Sequence, residues 1–307
     1  MREHVVGGDF MVGGRIRTLP EVEEGGGEME LVKALEEWGC FRVVNHGVPA
    51  ELMSEMKAVT AAIFDLPDEI HTPTTYTKYG MGYIRRGLIN PFFESLSIND
   101  ISSPEGFIHK LDVSDHQRET IYKYIKAIRN LAGFLGRKLM EGHGLAGDLF
   151  EGWFYQLRMN KYHFSPESVG SLGSDLHSDP SFLTILQDDE NLNGLQVVDK
   201  FSGEFVPVDH IPGSLVVNAG DIGKVWSNGR YYNVNHKVCC LKPTIRSSIA
   251  FFMLAPTDQK IEAPSELVDS DHPRCYVPLD YKEYRKTRML RGEITGGVLD
   301  LFNSTPN

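Results

Sequence analysis

His177-Ser178-Asp179 places an imidazole and a carboxylate two positions apart. On an extended segment residues i and i+2 face the same way, so the two side chains stand together. A third donor of matching chemistry, His236, follows 57 residues after Asp179, in a later segment of strand-like composition. Two histidines and one carboxylate cover one face of an octahedral ion and leave three positions open, which suits a non-haem Fe(II) that must take a co-substrate and O2 together. An HxD tripeptide also occurs in surface turns, and a chain with eleven histidines meets the pattern readily. The remaining spacing weighs for the metal. Arg246 stands ten residues after His236, and Ser248 two further on, on the same strand face. A guanidinium beside a hydroxyl suits a carboxylate clamp. Enclosed in a β core, such an arginine needs an anion, and a dicarboxylate co-substrate would supply it. Taken singly, Arg246 also reads as a salt-bridge partner at a strand start. Arg158, Asn160 and Tyr162 share one face of another β-type run. Tyr162 either donates its phenol to the same co-substrate or is a core tyrosine with a satisfied hydroxyl.

These residues need a scaffold, and the pattern along the chain outlines one. Residues 1–27 are broken by Gly7-Gly8, Gly13-Gly14 and Gly25-Gly26-Gly27 and read as weakly structured, with one short extended piece around Ile16–Leu19. Leu31, Leu35 and Trp38 give a helical stripe that Gly39 stops, and Cys40–Val44 reads as a strand followed by a turn at Asn45-His46-Gly47. Pro49 opens a second helix with Leu52, Met56, Val59 and Ile63 on one face. The segment from Pro73 to Glu105 has little period and reads as a lid or binding loop. A long helix from about Asp115 to Gly144 carries Ile121, Ile125, Ile128, Leu131, Leu135 and Leu139 as one apolar stripe. Beyond Phe154 come seven short β-type runs: Tyr155–His163, Phe182–Gln187, Gly194–Val198, Glu204–Val208, Ser214–Asn218, Asn233–Val238 and Ser247–Leu254. Such runs, separated by turn residues, point to a jelly roll or barrel. Tyr281 to Arg291 reads as a charged helix with a solvated face. The plan is mainly β with flanking α: 1–27 a weakly structured start, 28–150 a helical N-terminal region, 151–257 a β core, and 258–307 a C-terminal helix and tail.

Composition removes several function classes. Lys and Arg total 31 against 42 Asp and Glu, a net charge of −11, so no basic surplus draws the chain to nucleic acid or an anionic membrane. No apolar run approaches the roughly 18 residues of a spanning helix. Met1 to Gly14 lacks the apolar stretch of a secretory signal. Cys40, Cys239, Cys240 and Cys275 contain no CxxC pair and are too few for a disulfide framework, so they read as reduced thiols of a cytoplasmic protein.

Several segments taken together resemble the plant 2-oxoglutarate- and Fe(II)-dependent dioxygenases. They are Trp38-Gly39-Cys40-Phe41, Asn45-His46-Gly47-Val48-Pro49, Arg158-x-Asn160-x-Tyr162, His177-x-Asp179, Asn218-Ala219-Gly220-Asp221, Ser227-Asn228-Gly229, His236 and Arg246-x-Ser248, in the family's order. The resemblance implies a double-stranded β-helix (jelly-roll) core with N-terminal helices. It implies iron on His177, Asp179 and His236, and 2-oxoglutarate on Arg246, Ser248 and Tyr162. The implied products from the co-substrate are succinate and CO2. Family members that halogenate lack the carboxylate, so Asp179 favours oxygen insertion. Arg158 to Phe164, Ser168-Val169-Gly170, Asp179-Pro180, Phe182 to Gln187, Asn90 to Glu94, Leu267-Val268-Asp269 and His272-Pro273-Arg274 further resemble the auxin dioxygenase subgroup, which converts indole-3-acetic acid to 2-oxindole-3-acetic acid. Two departures stand out. Ile16 to Glu21 is a degraded form of the family's opening strand, and Lys237 stands where arginine commonly follows the distal histidine.

An indole substrate needs an apolar or aromatic wall, for which Tyr83, Phe92, Phe93 and Phe252 are the candidates. Its carboxylate needs a cation or several donors; Arg85 and Arg86 lie in the supposed lid but read more simply as solvated. His46 reads as structural, His163 points to the face opposite Tyr162, and Trp226 reads as packing. Two rival functions stand beside the auxin reading. One is a hydroxylase or desaturase of another plant metabolite on the same scaffold. The other is a non-enzymatic binding protein, which would be expected to have lost a metal ligand or the arginine clamp. The implied partners are a small molecule and O2, with no nucleic acid and no membrane. The pattern leaves regiochemistry and oligomeric state open.

Overall fold

The computed structural model describes residues 11–12, 15–16, 19–23, 27–67, 82–99, 113–147, 150, 152–189 and 193–304. Strand β1 (Glu21–Glu23) runs parallel to β2 (Cys40–Val44) and is joined to it by helix α1 (Glu28–Glu37). The extended piece expected at Ile16–Leu19 is therefore displaced: the strand of the main sheet begins just after Pro20, where Val22 becomes buried. Arg15–Ile16 pairs only with Met11–Val12. Helix α1 buries Leu31, Val32, Ala34 and Leu35. It stops at Gly39, which has φ +70° and whose Cβ, if present, would lie 2.1 Å from the Tyr232 carbonyl oxygen. Only glycine fits there, on both conformational and steric grounds.

Helix α2 (Ala50–Phe64) follows, with Pro49 as its N-cap. Residues 82–99 overturn the expectation of an irregular lid across Pro73–Glu105. They form β3 (Gly82–Ile84) and β4 (Phe93–Asn99), an antiparallel pair in the main sheet. Leu96 and Ile98 alternate with Ser95 and Ser97, a two-residue period shortened by turn-forming neighbours, and all four are fully buried. The rest of that segment, 73–81 and 100–105, lies outside the described residues. Helix α3 (Asp115–Gly142) starts with a capping box between Ser114 and Gln117 and buries the expected apolar stripe.

The β core comprises β5 (Phe154–Tyr162), β6 (Leu172–His177), β7 (Leu183–Gln187), β8 (Leu195–Val198), β9 (Phe205–Pro207), β10 (Leu215–Ala219), β11 (His236–Cys239) and β12 (Arg246–Leu254). Helix α4 (Asp221–Trp226) follows β10, and α5 (Tyr281–Arg291) lies near the C-terminus. The main sheet has the order β1-β2-β10-β7-β12-β5-β4-β3, and a smaller sheet has the order β9-β8-β11-β6. Strand β6 was not anticipated. Its sequence, Leu-Gly-Ser-Asp-Leu-His, has little β character, and Gly173 is required there because a Cβ would meet the Tyr162 and Phe164 rings at 2.7 Å.

Period-2 alternation divides the main sheet between two tasks. On β5 and β12, Leu157, Met159, Ile249, Phe251 and Met253 belong to the large core that includes α2 and α3. Arg158, Asn160, Tyr162, Arg246, Ser248 and Phe252 face a cavity between the two sheets. Arg246 pairs with Tyr162 and Ser248 with Asn160 in the β5–β12 ladder, so the register itself puts these side chains side by side.

Candidate functional site

The cavity is ≈ 260 Å³ and draws its lining from both sheets and from α5. His177 closes β6 and His236 opens β11, and the two are direct cross-strand partners. Their rings lie 4.3 Å apart between centroids. Asp179 Oδ1 is 3.8 Å from Nε2 of each histidine. One donor atom from each of the three residues lies within 4.8 Å of the others, the one such group of this size among the described residues.

The supporting contacts aim all three donors. His177 Nδ1 lies 2.7 Å from the Asp175 carbonyl oxygen, and His236 Nδ1 lies 3.1 Å from that of Val234. Carbonyls only accept, so each Nδ1 carries a proton and each Nε2 is the ring nitrogen turned into the site. Asp179 Oδ2 accepts from Thr184 Oγ1 at 2.7 Å and Asn218 Nδ2 at 2.9 Å. That leaves Oδ1 free to face the histidines. Burial, reinforced by His236, pushes the His177 imidazole down to about 4, so it is neutral at physiological pH as a ligand must be. Burial acts to raise the Asp179 carboxyl, but His236, His177 and the Asn218 and Thr184 donors outweigh it and hold the group ionised.

Further along the cavity, Arg246 is 1% exposed, and its Nε and Nη1 have no hydrogen-bond partner. Its guanidinium carbon sits 5.2 Å from the Tyr162 ring centre. Ser248 accepts from Asn160 Nδ2 at 3.3 Å, while Asn160 Oδ1 is also without a partner. A buried cation with idle N–H donors is costly unless an anion meets it. The donor set fits a carboxylate at this end and a divalent metal at the other.

Of the four aromatic candidates for a substrate wall, Phe93 and Phe252 line the cavity, and Tyr83 and Phe92 do not. Tyr83 turns away to donate to Glu94 Oε2 at 2.8 Å, and the same carboxylate receives His163 Nε2 at 2.6 Å. Phe92 is half-buried against Phe164, with ring centres 6.4 Å apart. Arg85 and Arg86 are exposed, and Arg86 caps the Pro91 carbonyl. His46 Nδ1 accepts from the Val48 amide, a turn role, and Trp226 packs among Phe150, Phe182 and Tyr231. Sequence reasoning missed Thr184 and Asn218 as supports of Asp179, although both lie in quoted motifs. It also missed Arg285 and Arg288 on α5, which line the cavity. The expected solvated face holds for Lys282, Glu283 and Lys286, while the opposite face of the helix buries Tyr281, Tyr284 and Arg288.

A two-sheet β core with a His-Asp-His donor face at one end of its cavity and a buried arginine with idle N–H donors at the other fits a non-haem iron oxygenase that works with a keto-acid co-substrate. The chain belongs to the 2OG-Fe(II) oxygenase superfamily, whose family model matches residues 153–255, while residues 28–101 match the N-terminal family described as non-haem dioxygenase in morphine synthesis. It is 44% identical over 281 residues to the 2-oxoglutarate-dependent dioxygenase DAO of Oryza sativa subsp. indica, covering 90% of this chain and 94% of that one. The crystal structure of the rice dioxygenase for auxin oxidation superposes with a TM-score of 0.87 at 42% identity, over 93% of this chain and 100% of that one. The dioxygenase for auxin oxidation 1 of Arabidopsis thaliana, in its binary complex with 2-oxoglutarate, gives 0.81 at 47% identity, over 84% and 100%. The chain is accordingly a 2-oxoglutarate-dependent dioxygenase with a jelly-roll core, and its cofactors are Fe(II) and 2-oxoglutarate. Among the described residues no helix is long and apolar enough to cross a membrane.

Proposed function

We propose that this enzyme oxidises indole-3-acetic acid to 2-oxindole-3-acetic acid, with iron held by His177, Asp179 and His236 and 2-oxoglutarate by Arg246, Ser248 and Tyr162. The observation that carries the reading is a single cavity with a neutral-imidazole and carboxylate face at one end and the idle N–H groups of a buried guanidinium at the other. The bound cofactors supply O2 activation coupled to conversion of 2-oxoglutarate into succinate and CO2. The chain's own residues do the rest. Thr184 and Asn218 keep Asp179 Oδ1 turned to the metal face. Arg246 and Ser248 orient the distal carboxylate, which fixes the keto-acid end towards the histidines. The apolar enclosure by Leu186, Val197, Val216 and Phe252 excludes water from the reacting centre.

Substrate class follows from the rest of the lining. A cavity of ≈ 260 Å³ is just below the usual range of ligand pockets, about 300–1,000 Å³, which supports a small substrate. Phe93 and Phe252 offer a flat apolar wall, and Arg158 and Arg285 bring positive charge for a second carboxylate, that of the auxin. Arg158 lies over the Phe252 ring, 5.7 Å from its centre, so cation and aromatic wall adjoin. We place the enzyme in the cytoplasm, in keeping with free thiols at Cys40, Cys239, Cys240 and Cys275.

The test is aerobic turnover of indole-3-acetic acid with Fe(II) and 2-oxoglutarate, following the gain of one oxygen atom by mass and succinate by titration. One succinate per oxidised auxin is expected. Stoichiometric succinate with some other small acid, and none with the auxin, overturns the substrate while leaving the enzyme class intact.

A further inference from the structure

Behind the metal-facing tripeptide lies a second buried charge cluster, centred on Asp221 and joined to the tripeptide through Ser178 and the Asp179 backbone carbonyl. Asp221, the first residue of α4, is fully buried. Its Oδ1 accepts from Ser178 Oγ at 2.7 Å and from Asn233 Nδ2 at 2.8 Å. Its Oδ2 accepts from Arg288 Nη1 at 2.5 Å and from the Tyr284 hydroxyl, both on α5. Its backbone amide donates to the Asp179 carbonyl at 2.7 Å. Arg288 Nη2 in turn donates to the Ser178 carbonyl at 2.5 Å and the Ile294 carbonyl at 2.8 Å. The Ser178 amide also donates to Ile294, at 2.8 Å.

The connectivity of this cluster matters more than its size. Ser178 stands between His177 and Asp179, and Asn233 stands three residues before His236. One carboxylate thus ties together both chain segments that present metal donors, and one guanidinium ties that carboxylate to the C-terminal helix. Such a tie is needed at this place. Strand β6 is an edge of the smaller sheet, paired on one side only, and its ladder to β11 is broken by register shifts. Asp179 lies beyond the end of that strand. Left to the sheet alone, the His177–Asp179 arm has no neighbour on its outer side. Residues from α5 and the segment after it, all beyond the matched stretch 153–255, supply that neighbour.

We infer that Arg288 and Asp221 are a positioning pair through which the C-terminal helix sets the spacing of His177, Asp179 and His236 for the metal. The inference rests on those three residues being the metal ligands. Arg285, one turn before Arg288 on the same helix, lines the cavity, so the element that sets the donors also borders the substrate.

Co(II) titration of the full-length apoprotein tests the pairing, because the visible bands of Co(II) report donor geometry independently of turnover. Arg288→Lys keeps the charge but loses the fork that spans Asp221 and Ser178. It is expected to bind Co(II) about 10–100-fold more weakly and to show altered bands at saturating metal, at a temperature where its far-UV circular dichroism equals that of the wild type. Tyr284→Phe removes one donor to Asp221 and is expected to move both readouts the same way by less. Lys286→Ala, on the exposed side of α5, is expected to move neither. A folded Arg288→Lys variant with wild-type affinity and bands overturns the inference. If that variant does not fold, Tyr284→Phe decides in its place, and unchanged affinity and bands overturn it equally. Failure of the wild-type chain to bind Co(II) overturns the metal-site reading itself and is distinguishable for that reason.

Discussion

Replacing Arg246 by methionine separates the two things a buried arginine does. In the free protein its Nε and Nη1 have no hydrogen-bond partner, at 1% exposure, so the cost of burying the charge is offset only in part, by the Tyr162 ring beside it. On the proposed assignment, those donors meet a carboxylate when 2-oxoglutarate binds. Two charge-assisted hydrogen bonds are worth about 1.5–3 kcal/mol each, about 3–6 kcal/mol together. That corresponds to a loss of about 10²–10⁴ in affinity on substitution. The expected result is two-sided: Arg246→Met binds 2-oxoglutarate that much more weakly by isothermal titration, while the ligand-free variant melts no lower than the wild type. The wild type should gain about 2.7 kcal/mol when 2-oxoglutarate is present at 100 times its Kd, and the variant should gain almost nothing at the same concentration. Two outcomes refute the reasoning. One is affinity within threefold of the wild type, which means the distal carboxylate sits elsewhere. The other is a strongly destabilised ligand-free variant, which means the guanidinium is stabilised in the free protein by more than the Tyr162 ring.

Thr184→Val removes the 2.7 Å donor to Asp179 Oδ2 and leaves Asn218 alone, so Mn(II) affinity of the apoprotein should fall about 10–100-fold by titration, without loss of fold. Gly39→Ala must place a Cβ 2.1 Å from a carbonyl oxygen at φ +70°, and urea denaturation should show a loss of about 2–4 kcal/mol. Burial, with help from Arg230, holds the His143 imidazole down to about 4, against about 6.5 in the unfolded chain. Between those values the unfolded chain binds more protons, so stability is full above about pH 6.5 and falls as the pH drops towards 4. His177 titrates in the same window, so the readout is the difference between wild type and His143→Gln in urea midpoints across pH 4–7, which should shrink the slope. An unchanged slope would mean that His143 is accessible to solvent protons in the native state.

The chemistry was the most legible part of the sequence because it rests on residue identity at short spacing. Arg246 and Ser248 at i and i+2 of β12 carry their facing in the strand period, and His177 meets Asp179, just past the end of β6, in the same cavity. The helices were legible for the same reason, since stripes such as Ile121 to Leu139 repeat over several turns. What was hidden depends on tertiary neighbours. Strand β6 has a sequence that prefers turns and becomes a strand only because β11 pairs with it. Strands β3 and β4 sit within a segment of turn-forming residues, and the main sheet recruits them. Tyr83 reads from sequence as an aromatic near a supposed lid, but its hydroxyl has a carboxylate partner at Glu94, and that bond turns it out of the cavity. Arg288 looked like one more charge on a polar helix because its partner, Asp221, is 67 positions away.

Register is where stability and chemistry become one constraint. Along β5 and β12, Leu157, Met159, Ile249, Phe251 and Met253 belong to the helix-covered core, and Arg158, Asn160, Tyr162, Arg246 and Ser248 between them line the cavity. A slip of one residue would send Arg246, Ser248 and Tyr162 into the apolar layer and bring Ile249, Phe251 and Met159 to the co-substrate. The nine-residue ladder from Arg246↔Tyr162 to Leu254↔Phe154 has no bulge, whereas the β6–β11 ladder that carries the histidines does. The Arg246–Ser248 end of the cavity therefore inherits its precision from continuous pairing within the main sheet. The His177–His236 end does not, and the buried Asp221–Arg288 cluster lies where that precision is otherwise missing.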